Sequence, residues 1–265
     1  TRPDAVGDEA ITLLQSYGVK TVELGVQSMN DGILVDAKRG HTAQEVVEAV
    51  ARLKQRGMTV GVQLLPGLKG ETWETILETA IAVVKMKPDF VRIYPVLVIE
   101  NTELADQYRA GEYEPLSTEQ AITYCAFLKD WFERHNIEVI RTGLQSTEEL
   151  DSGNSLVAGP YEPAMGELVV NEQYKQRIER CINEHIESFI NKELSQWNIW
   201  GQANTFIALN IGVFYPRSLT SKVRGLKNRN MLYFQEKYPH VNINWYEDST
   251  RNTVRCCIDG LQYVL

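Results

Sequence analysis

Cysteine is scarce in this chain: there are four in 265 residues, at positions 125, 181, 256 and 257. Four scattered thiols exclude a disulfide framework and a CxxC-type metal site. Cys125 and Cys181 fall inside helical patterns and read as small buried apolar residues. Cys256 and Cys257 are adjacent on a strand pattern, where neighbours face opposite ways, which argues against joint ligation of one metal. No run approaches 18 consecutive apolar residues, and no charged n-region leads into an apolar stretch with a small-residue cleavage site. The expectation is a cytoplasmic protein with no membrane span. Also missing are a Walker-type loop, a His/Glu zinc helix and a Ser/His/Asp set in a nucleophile context; His135, His185 and His240 stand isolated.

What is present is ordinary for a globular protein, with 43% hydrophobic and 23% charged residues. The net charge of −8 is unevenly spread: residues 1–196 hold 19 Lys and Arg against 31 Asp and Glu, whereas residues 197–265 hold 8 against 4. The tail is therefore a separate basic unit, a composition that polyanion contacts and solvated basic surfaces share.

Hydrophobic patterning predicts repeated βα units. Helices are expected at 5–17, 43–56 and 72–86, with strands at 20–27, 58–65 and 90–97. Gly18, Gly57 and Pro88 stop helices, and Thr42 and Thr72 are cap candidates. Further helices at 101–110 and 117–135, the latter opened by a Ser117/Gln120 capping box, precede a strand at 137–145. Residues 147–163 read as a loop or junction, followed by a long helix at 166–193. The tail reads as a βαββ unit: strand 205–214, basic helix 218–238 and strands 241–246 and 253–258. The expected divisions are 1–167, a connecting helix at 168–196, and the small unit at 197–265.

The densest segment is Val22 to Thr42, VELGVQSMNDGILVDAKRGHT. Its apolar run ends in Gln27 and Ser28 at the strand's C-terminal tip, where α/β folds place ligand-contacting groups. Arg39 follows at the end of a plausible helix, and His41 reads as a local hydrogen-bonding group rather than an acid or base.

The ordered set ELGVQS, RGHT, QLLPGLKGET and PDFVRIYPVLVIENT resembles the second half of a radical S-adenosylmethionine (SAM) domain, over roughly residues 1 to 167. It is similar to the elongator catalytic subunit group and to oxygen-independent coproporphyrinogen III oxidases; Arg141 to Gln145 and AGPYEPAMGELV favour the elongator side. The resemblance implies an α/β fold, the second half of a partial (β/α) barrel of the radical SAM type, with a small C-terminal α+β unit. It implies a 4Fe–4S cluster on a CxxxCxxC loop that cleaves SAM reductively to a 5′-deoxyadenosyl radical. This sequence contains no CxxxCxxC. The chain is therefore expected to be part of a longer enzyme, inactive alone and binding neither cluster nor SAM without the N-terminal half of that enzyme.

The resemblance further implies that Gln27 and Arg39 lie near SAM, and that Gln63 takes the place of an acidic residue of relatives. A carboxamide suits ribose hydroxyls, and a guanidinium suits the methionine carboxylate. Leu65 and Pro66 are candidates for the adenine face, with plain core and turn packing as the alternative. Backbone groups at Val96 to Val98, centred on Leu97, are implied to meet adenine, with Pro95 marking a break in the strand. Arg92 and Tyr94 are expected to face inward, Arg92 towards Glu23 or a substrate anion.

On the tail, Lys222, Arg224, Lys227 and Arg229 are candidate nucleic-acid contacts, although Leu226, Met231 and Phe234 suggest a face turned to the unit's own core. The function implied by resemblance is radical SAM modification of a substrate such as tRNA, and acetyl transfer is not implied. The rival reading is a non-catalytic nucleic-acid-binding module resting on the basic tail. A barrel half is also expected to leave an open sheet edge along Thr21 to Val26, favouring homo-oligomers.

Overall fold

The computed structural model describes residues 1–151, 153, 155–196 and 209–265. By compactness it divides into Thr1–Val169 and Val170–Leu265.

The first unit opens with a 3-10 turn at Pro3–Ala5 and helix α1 (Asp8–Ser16), followed by β1 (Thr21–Gln27), α2 (Asp31–Asp36) and α3 (Ala43–Gln55). Next come β2 (Thr59–Leu64), α4 (Trp73–Met86), β3 (Phe90–Ile93) and β4 (Val98–Ile99). Helices α5 (Glu103–Arg109) and α6 (Thr118–Arg134), then β5 (Glu138–Thr142), α7 (Glu148–Asp151) and β6 (Leu156–Ala158), complete it. The cap residues behave as their chemistry dictates. Capping boxes close at Thr42/Glu45, Thr72/Thr75 and Ser117/Gln120, each satisfying backbone donors that a helix start leaves free.

Strands β1, β2, β3 and β5 form one parallel sheet in that order. Side chains alternate across it. Val22, Leu24, Val26, Val60, Val62, Leu64, Val91 and Ile93 are buried in one core with residues of α3, α4 and α6. Each such side chain contributes roughly 1.5–3 kcal/mol by leaving water. The opposite face carries Glu23, Gly25, Gln63, Phe90 and Arg92, and the register aligns Gly25, Gln63, Arg92 and Arg141 in one row. On the open side of β1 the Thr1 amine donates to the Glu23 carbonyl, and the Gly25 N–H donates to the Thr1 carbonyl, both at 2.8 Å.

The structure departs from the sequence expectations at two places in this unit. The strand read over 90–97 leaves the sheet after Ile93, because Pro95 has no N–H to offer a ladder; Val98–Ile99 instead pairs antiparallel with β6. The segment 147–163 is accordingly not all loop, since it contains α7 and β6.

Helix α8 (Met165–Gln196) continues into the second unit, where Ile178 and Ile182 are buried with Ile211, Val213, Tyr215, Phe234, Cys256 and Ile258. That unit holds β7 (Asn210–Tyr215), α9 (Thr220–Arg224), α10 (Arg229–Lys237), β8 (Asn242–Glu247), β9 (Arg255–Ile258) and β10 (Leu261–Val264). The strand order is β10-β9-β7-β8, with β7 and β8 parallel and the other pairs antiparallel. The start of the expected strand 205–214 lies outside the described residues. Strand β10 extends the expected βαββ pattern. Its signal was Asp259-Gly260, both at positive φ, a hairpin dipeptide.

The expected single helix over 218–238 is broken. Lys227 and Asn228 are left-handed, and Gly225 sits at φ +76°. A Cβ at Gly225 would stand 2.9 Å from the Asn230 side-chain oxygen. Buried Asn230 closes the break, donating through Nδ2 to the carbonyls of Asn171 (2.8 Å) and Val223 (3.0 Å).

Asn230→Ala removes the donors to the enclosed Val223 carbonyl and to a carbonyl of α8, and is expected to cost about 1–3 kcal/mol in urea denaturation. Asn230→Asp, equal in shape but turning an acceptor towards those carbonyls, should cost at least as much. Wild-type stability in the Asp variant would disprove this account of the break.

Candidate functional site

Strand β1 ends irregularly. Gly25 pairs with Gln63 and Gln27 with Leu64, so Val26 is an extra, bulged residue. Gln27 then takes φ +70°, and the Ser28 N–H donates back to the Val26 carbonyl at 2.9 Å. This is a three-residue turn of the rare positive-φ kind, costly for a residue with a Cβ. Gln27 is only 5% exposed despite its place at a strand tip.

Gly25 makes room for what lies above it. A Cβ there would stand 2.7 Å from Gln27 Nε2 and 3.4 Å from an Arg39 terminal nitrogen. The structure thus brings Gln27 and Arg39 together over one glycine. Gln27 Oε1 and Arg39 Nε are both enclosed with no hydrogen-bond partner among the described residues. Burial, and then the Arg2 guanidinium nearby, lowers the Arg39 pKa from the usual arginine value, with Asp4 opposing. Arg39 is not at a helix end as expected: α2 stops at Asp36, and Lys38 at φ +51° and Gly40 at φ +70° turn the chain so that Arg39 reaches β1.

Gln63 is half-buried in the row beside Gly25, with Arg92 on its other side. Arg92 faces inward and pairs with Glu23 at 3.0 Å, donating also to the Tyr94 hydroxyl at 3.2 Å. Tyr94 first, and Glu23 less, hold its pKa above the usual arginine value. Of the two partners open to Arg92 in sequence, the structure supplies the protein carboxylate.

The loop after β2 is fixed on every side. The Leu65 N–H donates to the Gln27 carbonyl (3.0 Å), and the Val96 N–H donates to the Pro66 carbonyl (2.9 Å). The Gly67 N–H donates to Glu71 Oε2 (2.5 Å), while the Tyr113 hydroxyl donates to the Gly67 carbonyl (2.6 Å). Leu65 and Leu68 pack against a small apolar cluster containing Val96, Val98, Ala105 and Tyr113, the core packing weighed as the alternative for Leu65. The Val96 amide implied for adenine is committed to Pro66. Leu97 does not join Gln27 and Arg39; it lines a cavity of about 10 Å³ with Pro95, Gly143, Leu144, Pro160 and Met165.

Glu71, in the QLLPGLKGET stretch just before the Thr72 cap, is a titratable group that drew no notice in the sequence. It lines a cavity of about 190 Å³ with Lys69, Glu112, Tyr113 and Tyr124. Burial pushes its pKa up to about 7 against the opposing pull of the Gly67 and Leu68 amides. A glutamate four residues beyond a Pro-Gly turn was the available signal, although its burial was not visible.

In the second unit the four basic candidates do not share one helix. Lys222 and Arg224 lie on α9, Lys227 in the turn and Arg229 at the start of α10. Half-buried Arg224 is structural, bonded to the Tyr215 hydroxyl and stacked 5.5 Å from that ring's centre. Lys222, Lys227 and Arg229 are exposed. Among the described residues, no three His, Cys, Asp or Glu side chains are placed to hold a metal ion.

The family model for the radical SAM superfamily matches residues 1–82, and that for the radical SAM C-terminal domain matches residues 88–176. A tRNA uridine(34) acetyltransferase of Methanocaldococcus jannaschii is 34% identical over 186 residues, covering 69% of this chain and 33% of that protein. Elongator complex protein 3 of Homo sapiens is 30% identical over 129 residues, covering 48% of this chain and 24% of that protein. The solved structure of the archaeal Methanocaldococcus infernus Elp3 with an N-terminal deletion superposes with a TM-score of 0.58 at 33% identity, over 66% of this chain and 41% of that one. The chain spans about a third of the archaeal acetyltransferase it matches.

Two measurements test the local physics. Since φ at Gln27 suits glycine, Gln27→Gly is expected to be about 0.5–1 kcal/mol more stable than Gln27→Ala, the reverse of the usual order within strands. Glu71 has a folded pKa of about 7, above its ordinary 4.5, so the stability contributed by its protonated form is present at acid pH and lost as pH rises through 7. Glu71→Gln should match wild type near pH 5 and exceed it by about 1–3 kcal/mol near pH 8. An unchanged pH profile in that variant would rule out a neutral, buried Glu71.

Proposed function

Residues 1–176 of this chain belong to the radical SAM superfamily, and from that premise we propose that the ends of β1, β2 and β3 form one wall of a SAM site. The observation carrying this reading is that two side chains converging over Gly25, through Gln27 Nε2 and an Arg39 terminal nitrogen, each keep an enclosed atom without a partner among the described residues, Gln27 Oε1 and Arg39 Nε. Orphaned buried polar atoms are rare in folded chains and point to a missing partner.

SAM fits that donor set. The Gln27 carboxamide can donate to one ribose hydroxyl and accept from the other, and the Arg39 guanidinium can pair with the methionine carboxylate. Gln63, next in the row, keeps hydrogen-bonding capacity without charge. Leu65 and Pro66 are held beside this row by the backbone bonds of their loop, with Leu65 packed on the small apolar cluster and Pro66 buried, so their part in the site is to fix its floor. Desolvation of Arg39 strengthens any anion contact it makes.

In this superfamily a reduced 4Fe–4S cluster supplies the electron that cleaves bound SAM. The residues present here do not fit the cluster: the sequence has no CxxxCxxC. The cluster ligands would then lie in a further part of a longer enzyme, with Gln27 and Arg39 of this chain orienting SAM. We take tRNA as the substrate class, supported by the tRNA-modifying relatives.

The test uses the longer, cluster-bearing protein under dithionite. Gln27→Ala and Arg39→Ala should each raise the SAM concentration for half-maximal 5′-deoxyadenosine release by about 10- to 100-fold, as expected for lost hydrogen bonds to charged or enclosed groups. Unchanged SAM dependence in both variants, with intact circular dichroism, would sink the proposal.

A further inference from the structure

His41 is buried, 5% exposed, in the short link between α2 and α3. Its Nε2 lies 3.3 Å from the Val26 carbonyl, the same oxygen that accepts the Ser28 N–H at 2.9 Å. A carbonyl only accepts, so Nε2 carries the proton in this contact. The imidazole thus adds a second donor to the one carbonyl that closes the turn through Gln27.

We propose that His41 is a positioning residue for Gln27, holding the strained turn that aims the Gln27 carboxamide over Gly25. This rests on the SAM reading for its functional meaning, but the hold on the turn is a claim about this chain alone. Such turns persist only where the surroundings over-determine them, and the link is fixed at both ends: the Arg39 N–H donates to the Leu34 carbonyl at 2.9 Å at its start. The Ala43 N–H donates to Asp31 Oδ1 at 2.7 Å, and Thr42 caps α3 through Glu45. Gly40, at φ +70°, lets its two neighbours diverge: Arg39 reaches Gly25, and His41 reaches Val26. One link therefore supplies a cation to the site and a brace to the strand end beside it.

The test compares His41→Leu, which fills the space without a donor, with His41→Gln, whose Nε2 is as many bonds from Cα as the imidazole Nε2. Hydrogen exchange at the Ser28 amide should speed up about tenfold or more in the Leu variant and stay near wild type in the Gln variant. In the cluster-bearing enzyme, His41→Leu should weaken SAM about tenfold, His41→Gln should restore it, and His41→Leu should add nothing to Gln27→Ala. Unchanged Ser28 exchange in the Leu variant overturns the proposal, as do losses that add on the Gln27→Ala background. If Ser28 exchange responds as expected while wild-type enzyme shows no affinity for SAM, the cofactor reading falls and the brace on the turn stands.

Discussion

Gln27 and Arg39 can lie together over the sheet only because β1 carries no side chain at Gly25, and much of the site follows from that vacancy. A parallel sheet offers its ligands the C-terminal ends of its strands, where the ladder stops and backbone groups fall free. Here the ladder stops by bulging at Val26 and turning at Gln27, which swings a carboxamide back along its own strand instead of out towards solvent. The strained φ is a local cost, and the surrounding contacts offset it: the Gln27 carbonyl receives Leu65, and the Val26 carbonyl receives Ser28 and His41.

The same economy governs the loop after β2. Its peptide groups are tied to β1 through Leu65, to the segment after β3 through Pro66, and to Glu71 and Tyr113 through Gly67. Three strand ends are thus held in one frame by bonds that involve almost no exposed side chain. A frame of this kind limits how far a loop can drift and keeps the apolar surface of Leu65 and Pro66 at a fixed distance from Gln27. Glu71 makes it sensitive to pH, since the same carboxyl that accepts the Gly67 amide resists ionisation through burial.

How much of this could be read from the sequence depended on whether the signal was local. Helix caps at Thr42, Thr72 and Ser117 were legible because a cap needs only its own next three residues. The pairing of Gln27 with Arg39 was legible only as an ordered resemblance, and the role of Gly25 was not, because nothing in ELGVQS says which side chain will fold back over the glycine. The early end of β3 at Ile93 was half-legible: Pro95 announced a break, but the partner of Val98–Ile99 lies nearly sixty residues on, beyond any pattern. The break in the basic tail segment was missed although Gly225 and Asn228 both tolerate positive φ, because isolated residues of this kind also occur within helices and the buried Asn230 that stabilises the turn looks like any surface asparagine.

Net charge gave the poorest guide to the site, and the structure explains why. Residues 1–196 carry twelve more acids than bases, a field that would repel anionic ligands at long range. The row across the inner sheet face has the opposite character: Gly25, Gln63, Arg92 and Arg141, with Arg39 above the glycine. Glu23 neutralises Arg92, whereas Arg39 is flanked by Arg2, whose own charge is met by Asp4. Ionic strength screens the distant acids over about 8–10 Å, whereas a half-buried guanidinium such as Arg39 is screened less at contact range. The local set therefore differs in sign from the whole, and the proposed anion contact of Arg39 rests on that set, with its enclosed Nε lacking a partner among the described residues, and not on the net charge of the chain.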